Sequence, residues 1–341
     1  MQLSIVIPCY NVEKYISRCL DSILSQKASF KYEIILVNDA STDRTLDILL
    51  SYSRIHSNIQ LINKNKNEKL SAARATGIEN AIGKYIMNVD SDDYLLPNCF
   101  NTIWEYGLKF DYDICIFNLI VNDIHNNSKL FYGLKEERDF NLSIRKDIKS
   151  FYKSFSGAAF GKLFRSKILK ELIYSKYSYN MGEDLALNFE LFNRSKFIKY
   201  IPIPIYCYCY NSSSIIHAGF NQVVLDTNNN WVSNIKEVIL KKSTIDPIIL
   251  KITYKRIERY TIGLLFQIKK QPKELREILW YRWLEFFNQT CFAIPNWKKS
   301  LYDYIFKIKP IELRYYLIFL TLFQFSPLTE RVYKAIKVFS K

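Results

Sequence analysis

Leu3-Ser4-Ile5-Val6-Ile7-Pro8 is an apolar run closed by a proline, and the pattern it begins decides the fold. A short, uninterrupted apolar segment ending at a proline suits the end of a buried strand, because proline has no N–H to give to a continuing ladder. Asn11 then stands where a helix cap is expected. Beyond it, Val12, Tyr15, Ile16, Cys19, Leu20, Ile23 and Leu24 recur at the three- and four-residue spacing of one helical face. The alternation repeats. Residues 33–37 predict a second strand, and Asn38-Asp39-Ala40-Ser41-Thr42-Asp43 a turn and cap before a helix that runs to about Ser53. Residues 59–62 predict a third strand. Ser71 is the expected cap of a helix rich in small residues that stops at Gly83, and residues 85–89 predict a fourth strand leading into Asp90-Ser91-Asp92-Asp93. Strands separated by helices of this length imply right-handed crossovers and a mostly parallel sheet flanked by helices.

After Pro97 the pattern is mixed. Residues 113–121 predict a long apolar strand, 122–145 a polar stretch with a hairpin, and 160–165 another extended segment. Residues 183–193 carry a helical face, and 197–201 and 205–210 predict two short strands. From about Phe220 strand signals cease and long helical stretches take over. The expected division is therefore residues 1–219 as one α/β domain and 220–341 as an α-helical region.

Composition narrows the function classes. With 341 residues, 49% hydrophobic and 24% charged, the chain is globular rather than disordered. Its formal net charge of +15 suits a phosphorylated ligand or an anionic surface. No zinc-finger spacing and no Gly-rich RNA-binding signature accompanies that charge, so nucleic acid is not expected as a partner. The seven cysteines lie mostly in apolar runs without a Cys-x-x-Cys pair, which reads as buried thiols in a reducing compartment. No signal peptide is apparent, so the working face is expected to be cytoplasmic.

The polar residues at the strand ends carry the chemistry. In a doubly wound sheet, ligands bind beyond the carboxyl ends of the strands. Cys9-Tyr10-Asn11, Asn38-Asp39 and Asp90-Ser91-Asp92-Asp93 would share one such rim. Clustered carboxylates there would repel a phosphate unless a hard divalent cation sat between them, and Mg²⁺ favours one or two carboxylates plus phosphate oxygens. Asp90 and Asp92 thus read as a metal–diphosphate anchor, with Asp92 the direct ligand; a solvated turn with Asp93 capping a helix before Pro97 is the plainer alternative. Arg74 can pair with a phosphate or hold a carboxylate of the cluster, or be a surface arginine. Asp39 can accept from a base or ribose, or cap the next helix. Glu183 and Asp184 open an amphipathic helix after Gly182, which suits either the helix dipole or a general base.

Five blocks in this order resemble the inverting glycosyltransferases of family 2, which have the Rossmann-like GT-A fold. They are Ser4–Asn11, Val37–Asp43, Ala72–Gly77, Asp90–Asp93 and Gly182–Asp184, within residues 1 to about 218. The resemblance implies that Asp39 contacts uracil, that Arg74 supports the diphosphate or metal, and that Asp90 and Asp92 hold the ribose side and Mn²⁺ or Mg²⁺, with Ser91 in the same run. It implies Asp184 as the catalytic base, Glu183 shaping the acceptor pocket, and Pro8 and Tyr10 lining the nucleotide pocket. The donor is then a UDP-sugar, a UDP-hexose or UDP-N-acetylhexosamine. The acceptor is a hydroxyl of a glycan or lipid-linked oligosaccharide, as in lipopolysaccharide, capsule or exopolysaccharide synthesis. One departure is Asn38-Asp39-Ala40-Ser41, where relatives often show Asp-Asp-Gly-Ser. His217, in the 211–219 loop, is a further candidate for the metal or pyrophosphate.

Residues 294–341 carry nine Lys or Arg against three acids, interleaved with aromatics. Their apolar core, 315–325, falls short of the roughly 20 residues that span a bilayer. These helices suit lying on an anionic membrane surface, packing on the catalytic domain, or joining a second subunit as a homo-oligomer. Two other readings compete: a nucleotidyltransferase, although Pro8-Cys9-Tyr10-Asn11 is no triphosphate loop, and a non-catalytic nucleotide- or glycan-binding protein on the same fold.

Overall fold

Strand β1 (Leu3–Cys9) is buried along its whole length and pairs in parallel on both edges, with β2 (Tyr32–Asn38) on one side and β4 (Tyr85–Asn88) on the other. The computed structural model describes residues 1–123, 128–144, 147, 150–151, 158–171, 191 and 194–210. The chain divides into two units, Met1–Leu250 and Lys251–Lys341, and every described residue belongs to the first. The boundary expected near 220, Glu183, Asp184, His217 and the helical stretches beyond 220 lie outside the described residues.

From β1 the chain passes through α1 (Ile16–Leu24) to β2, and through α2 (Thr45–Ile55) to β3 (Ile59–Asn63), each strand added outward in parallel. It then returns through α3 (Lys69–Asn80) to β4, on the far side of β1. Leu3, Ile5, Ile7 and Cys9 of β1 join Ile16, Cys19, Leu20 and Ile23 of α1 in one core. The alternate residue Val6 faces α3, because side chains on a strand alternate between faces. Helices therefore cover both faces, and the winding reverses between β1 and β4. At such a reversal the carboxyl ends of neighbouring strands leave a crevice.

The remaining elements are β5 (Tyr94–Leu95), α4 (Cys99–Ile103) with a π-helical turn at Trp104–Leu108, β6 (Ile114–Asp123), β7 (Ser128–Tyr132), β8 (Arg138–Asn141), β9 (Lys162–Arg165), α5 (Ser166–Lys170) and β10 (Phe197–Tyr210). The sheet runs β3-β2-β1-β4-β9-β6-β10-β5, with β7 on β6 and β8 on β10. Its first half is parallel as expected. In the second half β9, β5, β7 and β8 run antiparallel to their partners, so the whole is a mixed sheet.

Three local expectations are corrected. Asn11 does not cap α1, which begins only at Ile16; it adopts a left-handed φ of 53° and its side-chain oxygen accepts from the Thr42 N–H at 2.8 Å. Ser71 does not cap α3, which starts at Lys69 because the Asp39 carboxylate takes the N–H groups of Glu68 and Lys69. The two short strands at 197–201 and 205–210 are one strand, β10. Pro204 interrupts its pairing register with β6 without ending the strand.

Gly77 sets how closely α3 approaches the sheet. A Cβ there would lie 2.4 Å from Val6 Cγ1 and 3.3 Å from Val37 Cγ2. Helix propensity alone favours alanine by about 1 kcal/mol, whereas overpacking costs about 1–3 kcal/mol. We predict that Gly77→Ala lowers the midpoint of thermal or urea unfolding. A stabilised variant would show that α3 can lift off β1 at no cost.

Candidate active site

Parallel pairing brings the carboxyl ends of β2, β1 and β4 side by side, and the loops leaving β1 and β2 are stitched together. The Asp39 N–H donates to the Cys9 carbonyl at 2.9 Å and the Asn11 N–H to Ser41 Oγ at 3.1 Å. The Val12 N–H donates to Thr45 Oγ1 at 2.8 Å, and the Arg44 N–H to Glu13 Oε2 at 3.0 Å. Asp43 completes the seam, accepting from Glu13 and Thr45 N–H groups. Burial raises its pKa, but the hydrogen bonds from Thr45 and the neighbouring N–H groups outweigh that and hold it below the ordinary carboxylate value. On this rim Pro8 is buried within β1, and Tyr10, the next residue but one, is 47% exposed.

Asp39 is 2% exposed. Its carboxylate accepts from Glu68 N–H at 3.0 Å and Lys69 N–H at 2.8 Å, and Lys64 Nζ lies 3.5 Å away. The residue thus caps α3, a helix later than the one its place in the sequence suggests. The capped helix carries Arg74, which is 1% exposed and donates from Nη2 to Asp90 Oδ1 at 2.9 Å. The sequence motif at 72–77 and the acidic run therefore meet in space.

The run itself is a tight turn, closed by the Asp93 N–H donating to the Asp90 carbonyl at 3.0 Å. Its four residues diverge. Asp90 and Asp92 are partly buried, Ser91 is 7% exposed, and Asp93 is fully buried. Asp93 points inward, accepting from the Tyr206 hydroxyl at 2.6 Å and the Cys209 N–H at 2.7 Å. It is no helix cap. Burial, then the charges of Asp90 and Asp92, raise its pKa. Burial and the like charge of Asp90 also push Asp92 up to about 6, with Arg18 pulling the other way. Arg18, on the exposed flank of α1, donates to the Asp92 carbonyl at 2.5 Å and to Cys209 Sγ at 3.3 Å.

Among the described residues no cluster of three or more His, Cys, Asp or Glu forms a closed metal cage. The carboxylates of Asp90 and Asp92 are of the kind that would fit a hard cation completing its shell with phosphate oxygens and water. The structure thus brings Arg74, Asp90, Ser91 and Asp92 together, with Asp39 at the start of the helix that carries Arg74. Sequence reading missed Arg18, Tyr206 and the inward turn of Asp93. Only the polar flank of α1 hinted at Arg18, and nothing local marks Tyr206, which lies 116 residues after Asp90.

This architecture, a parallel nucleotide-binding half joined to a mixed second half with an acidic turn at the switch point, is the GT-A fold. Residues 4–173 match the domain described as Glycosyl transferase family 2, and the chain belongs to that family. Glycosyltransferase GlyA of Streptococcus pneumoniae is 30% identical over 223 residues, covering 63% of this chain and 31% of the relative. Poly(ribitol-phosphate) beta-glucosyltransferase of Bacillus spizizenii is 47% identical over 121 residues, 35% of this chain and 19% of the relative. In both cases the match spans a third or less of the relative's own length. The crystal structure of S. aureus TarS 1-349 in complex with UDP-GlcNAc superposes with a TM-score of 0.67 at 19% identity, covering 88% of this chain and 83% of that one.

The buried charge at Asp92 has a measurable consequence. An unfolded aspartate titrates near about 3.9 and the folded one at about 6. Between those values the folded state binds more protons, so ionising Asp92 lowers stability as pH rises through that window. We expect Asp92→Asn to stabilise the metal-free protein by on the order of 1–3 kcal/mol above pH 7. The gain should vanish below about pH 4, where both states are protonated. Urea unfolding at pH 4 and pH 8 checks this, and an equal effect at both would contradict it.

Proposed function

We propose that the chain transfers a sugar from a UDP-sugar, a UDP-hexose or UDP-N-acetylhexosamine, to a hydroxyl of a cell-surface glycan or lipid-linked oligosaccharide, with inversion at the anomeric carbon. The observation that carries this is the Arg74–Asp90 ion pair beside Asp92, at the switch point of a family 2 domain. Membership of the family supports the reaction class. The UDP-GlcNAc complex of a protein with this fold supports the donor class, and the poly(ribitol-phosphate) relative supports a cell-surface polymer as acceptor.

In this reading Pro8 and Tyr10 line the nucleotide pocket, and Asp39 stands at its base-binding end. Asp90 and Asp92 hold Mn²⁺ or Mg²⁺, with Ser91 in the turn between them and His217 a further ligand to the metal or pyrophosphate. Such a cation supplies charge neutralisation for the departing diphosphate. Arg74 fixes the Asp90 carboxylate and adds positive potential on the same side, where negative charge develops. Asp184, with Glu183 beside it shaping the acceptor pocket, takes the proton from the acceptor hydroxyl. The oxygen bonds to the anomeric carbon as the bond to the β-phosphate oxygen breaks, and UDP leaves. An α-linked donor then gives a β-glycoside. The site works at the cytoplasmic face of the membrane, with the basic, aromatic 294–341 stretch as the surface contact or as a contact between copies. Among the described residues no helix is long and apolar enough to cross a membrane.

Incubating the full chain with a panel of UDP-sugars, with and without Mn²⁺, should release UDP and identify the donor. Asp184→Asn should abolish transfer while UDP affinity stays within about threefold, because a general base acts on the acceptor proton rather than on the nucleotide. Undiminished turnover would remove Asp184 from the mechanism. UDP binding without turnover of any donor would instead favour a non-catalytic binder.

A further inference from the structure

The acidic turn is held from behind by a strand far away in sequence. The Tyr206 hydroxyl accepts from the Asp90 N–H at 3.1 Å and donates to Asp93 Oδ2 at 2.6 Å, joining the first and last residues of the turn. The Cys209 N–H takes the other Asp93 oxygen, and Arg18 ties the Asp92 carbonyl to Cys209 Sγ. Strand β5, which leaves the turn, pairs antiparallel with the same part of β10, Cys207 opposite Tyr94 and Tyr206 opposite Leu95. The Tyr206 ring is fully buried and stacks on Phe160 at 4.8 Å and 7°, so the hydroxyl has no alternative position.

We propose that Tyr206 is a positioning residue for the sugar-transfer site, fixing the turn so that Asp90 and Asp92 face the rim while Asp93 faces the core. This role rests on the chain being a sugar-nucleotide glycosyltransferase. The physical need is plain. Three carboxylates within four residues repel one another, most strongly where water is excluded, and an untied turn would relax by spreading them. With both ends of the turn on one hydroxyl, the spacing of the two outward carboxylates is set at folding. Loss of the hydroxyl removes one donor from the buried Asp93 carboxylate and this acceptor from the Asp90 N–H.

The test is Tyr206→Phe in the full chain, which keeps the ring and its stacking. Amide hydrogen exchange across residues 90–95 should rise tenfold or more while β1, β2 and β3 stay unchanged. The kcat with the donor identified from the UDP-sugar panel should fall at least about tenfold, with donor KM within about threefold, as for a misplacement that mainly affects the transition state. Tyr85→Phe is the control. That hydroxyl is also buried, within reach of the Phe110 and Tyr112 carbonyls at 3.0 and 2.8 Å, but at the opposite end of the sheet. It should cost similar stability and leave kcat unaltered. If Tyr206→Phe does not fold, Asp93→Ala, which removes the acceptor of the Tyr206 hydroxyl and of the Cys209 N–H, serves in its place and should show the same localised exchange. Unchanged exchange at 90–95, or faster exchange with wild-type kcat, overturns the proposal. If the wild type turns over no nucleotide sugar, the sugar-transfer reading fails, while localised exchange still upholds the brace and uniform exchange overturns it.

Discussion

Parallel hydrogen bonding along both edges of β1 is the constraint on which the rest of the described structure depends. A strand paired in parallel on two sides must be reached by helical crossovers, and adding neighbours in both directions puts those helices on both faces. Leu3, Ile5 and Ile7 accordingly pack toward α1, while Val6 packs toward α3. The same pairing aligns the ends of β2, β1 and β4, so that Asn38, Cys9 and the approach to Asp90 emerge together. The crevice is a by-product of how the core is buried.

Placing negative charge on such a rim is costly, and the structure treats each carboxylate differently. Asp39 is committed to backbone N–H groups at the start of α3. Asp90 has the guanidinium of Arg74, itself buried and so held in one geometry. Asp93 is sunk among donors from β10. Burial and the like charges of the run hold both Asp92 and Asp93 above the ordinary carboxylate value, and Arg18 offsets part of this at Asp92.

The parallel half was legible in the sequence because its signals are local. Apolar runs of strand length, helical spacing in 12–24, and turn residues at 38–43 each speak for themselves. Caps were less legible. Asn11 and Ser71 have the right chemistry in the right place, but tertiary partners claimed Asn11 for Thr42, and Asp39 reached across 29 residues to start α3 early. The expected pair of strands at 197–201 and 205–210 is one strand because pairing with β6 carries the chain through the prolines between them. The acidic run and Arg74 were visible as separate motifs, and their 2.9 Å contact is a product of the crossover. Tyr206 was invisible, since its role exists only once β10 lies beside β5.

The stitched loops after β1 and β2 carry a thermodynamic consequence for whatever occupies the crevice. Asn11, Val12 and Glu13 on one loop are bonded across the rim to Ser41, Thr42, Thr45 and Asp43 on the other. The conformational entropy of ordering those loops was lost on folding and does not weaken association. A ligand there would meet walls already in place, so the heat-capacity change of binding on this side would reflect the surface that ligand and rim bury together, without the larger signature of coupled folding.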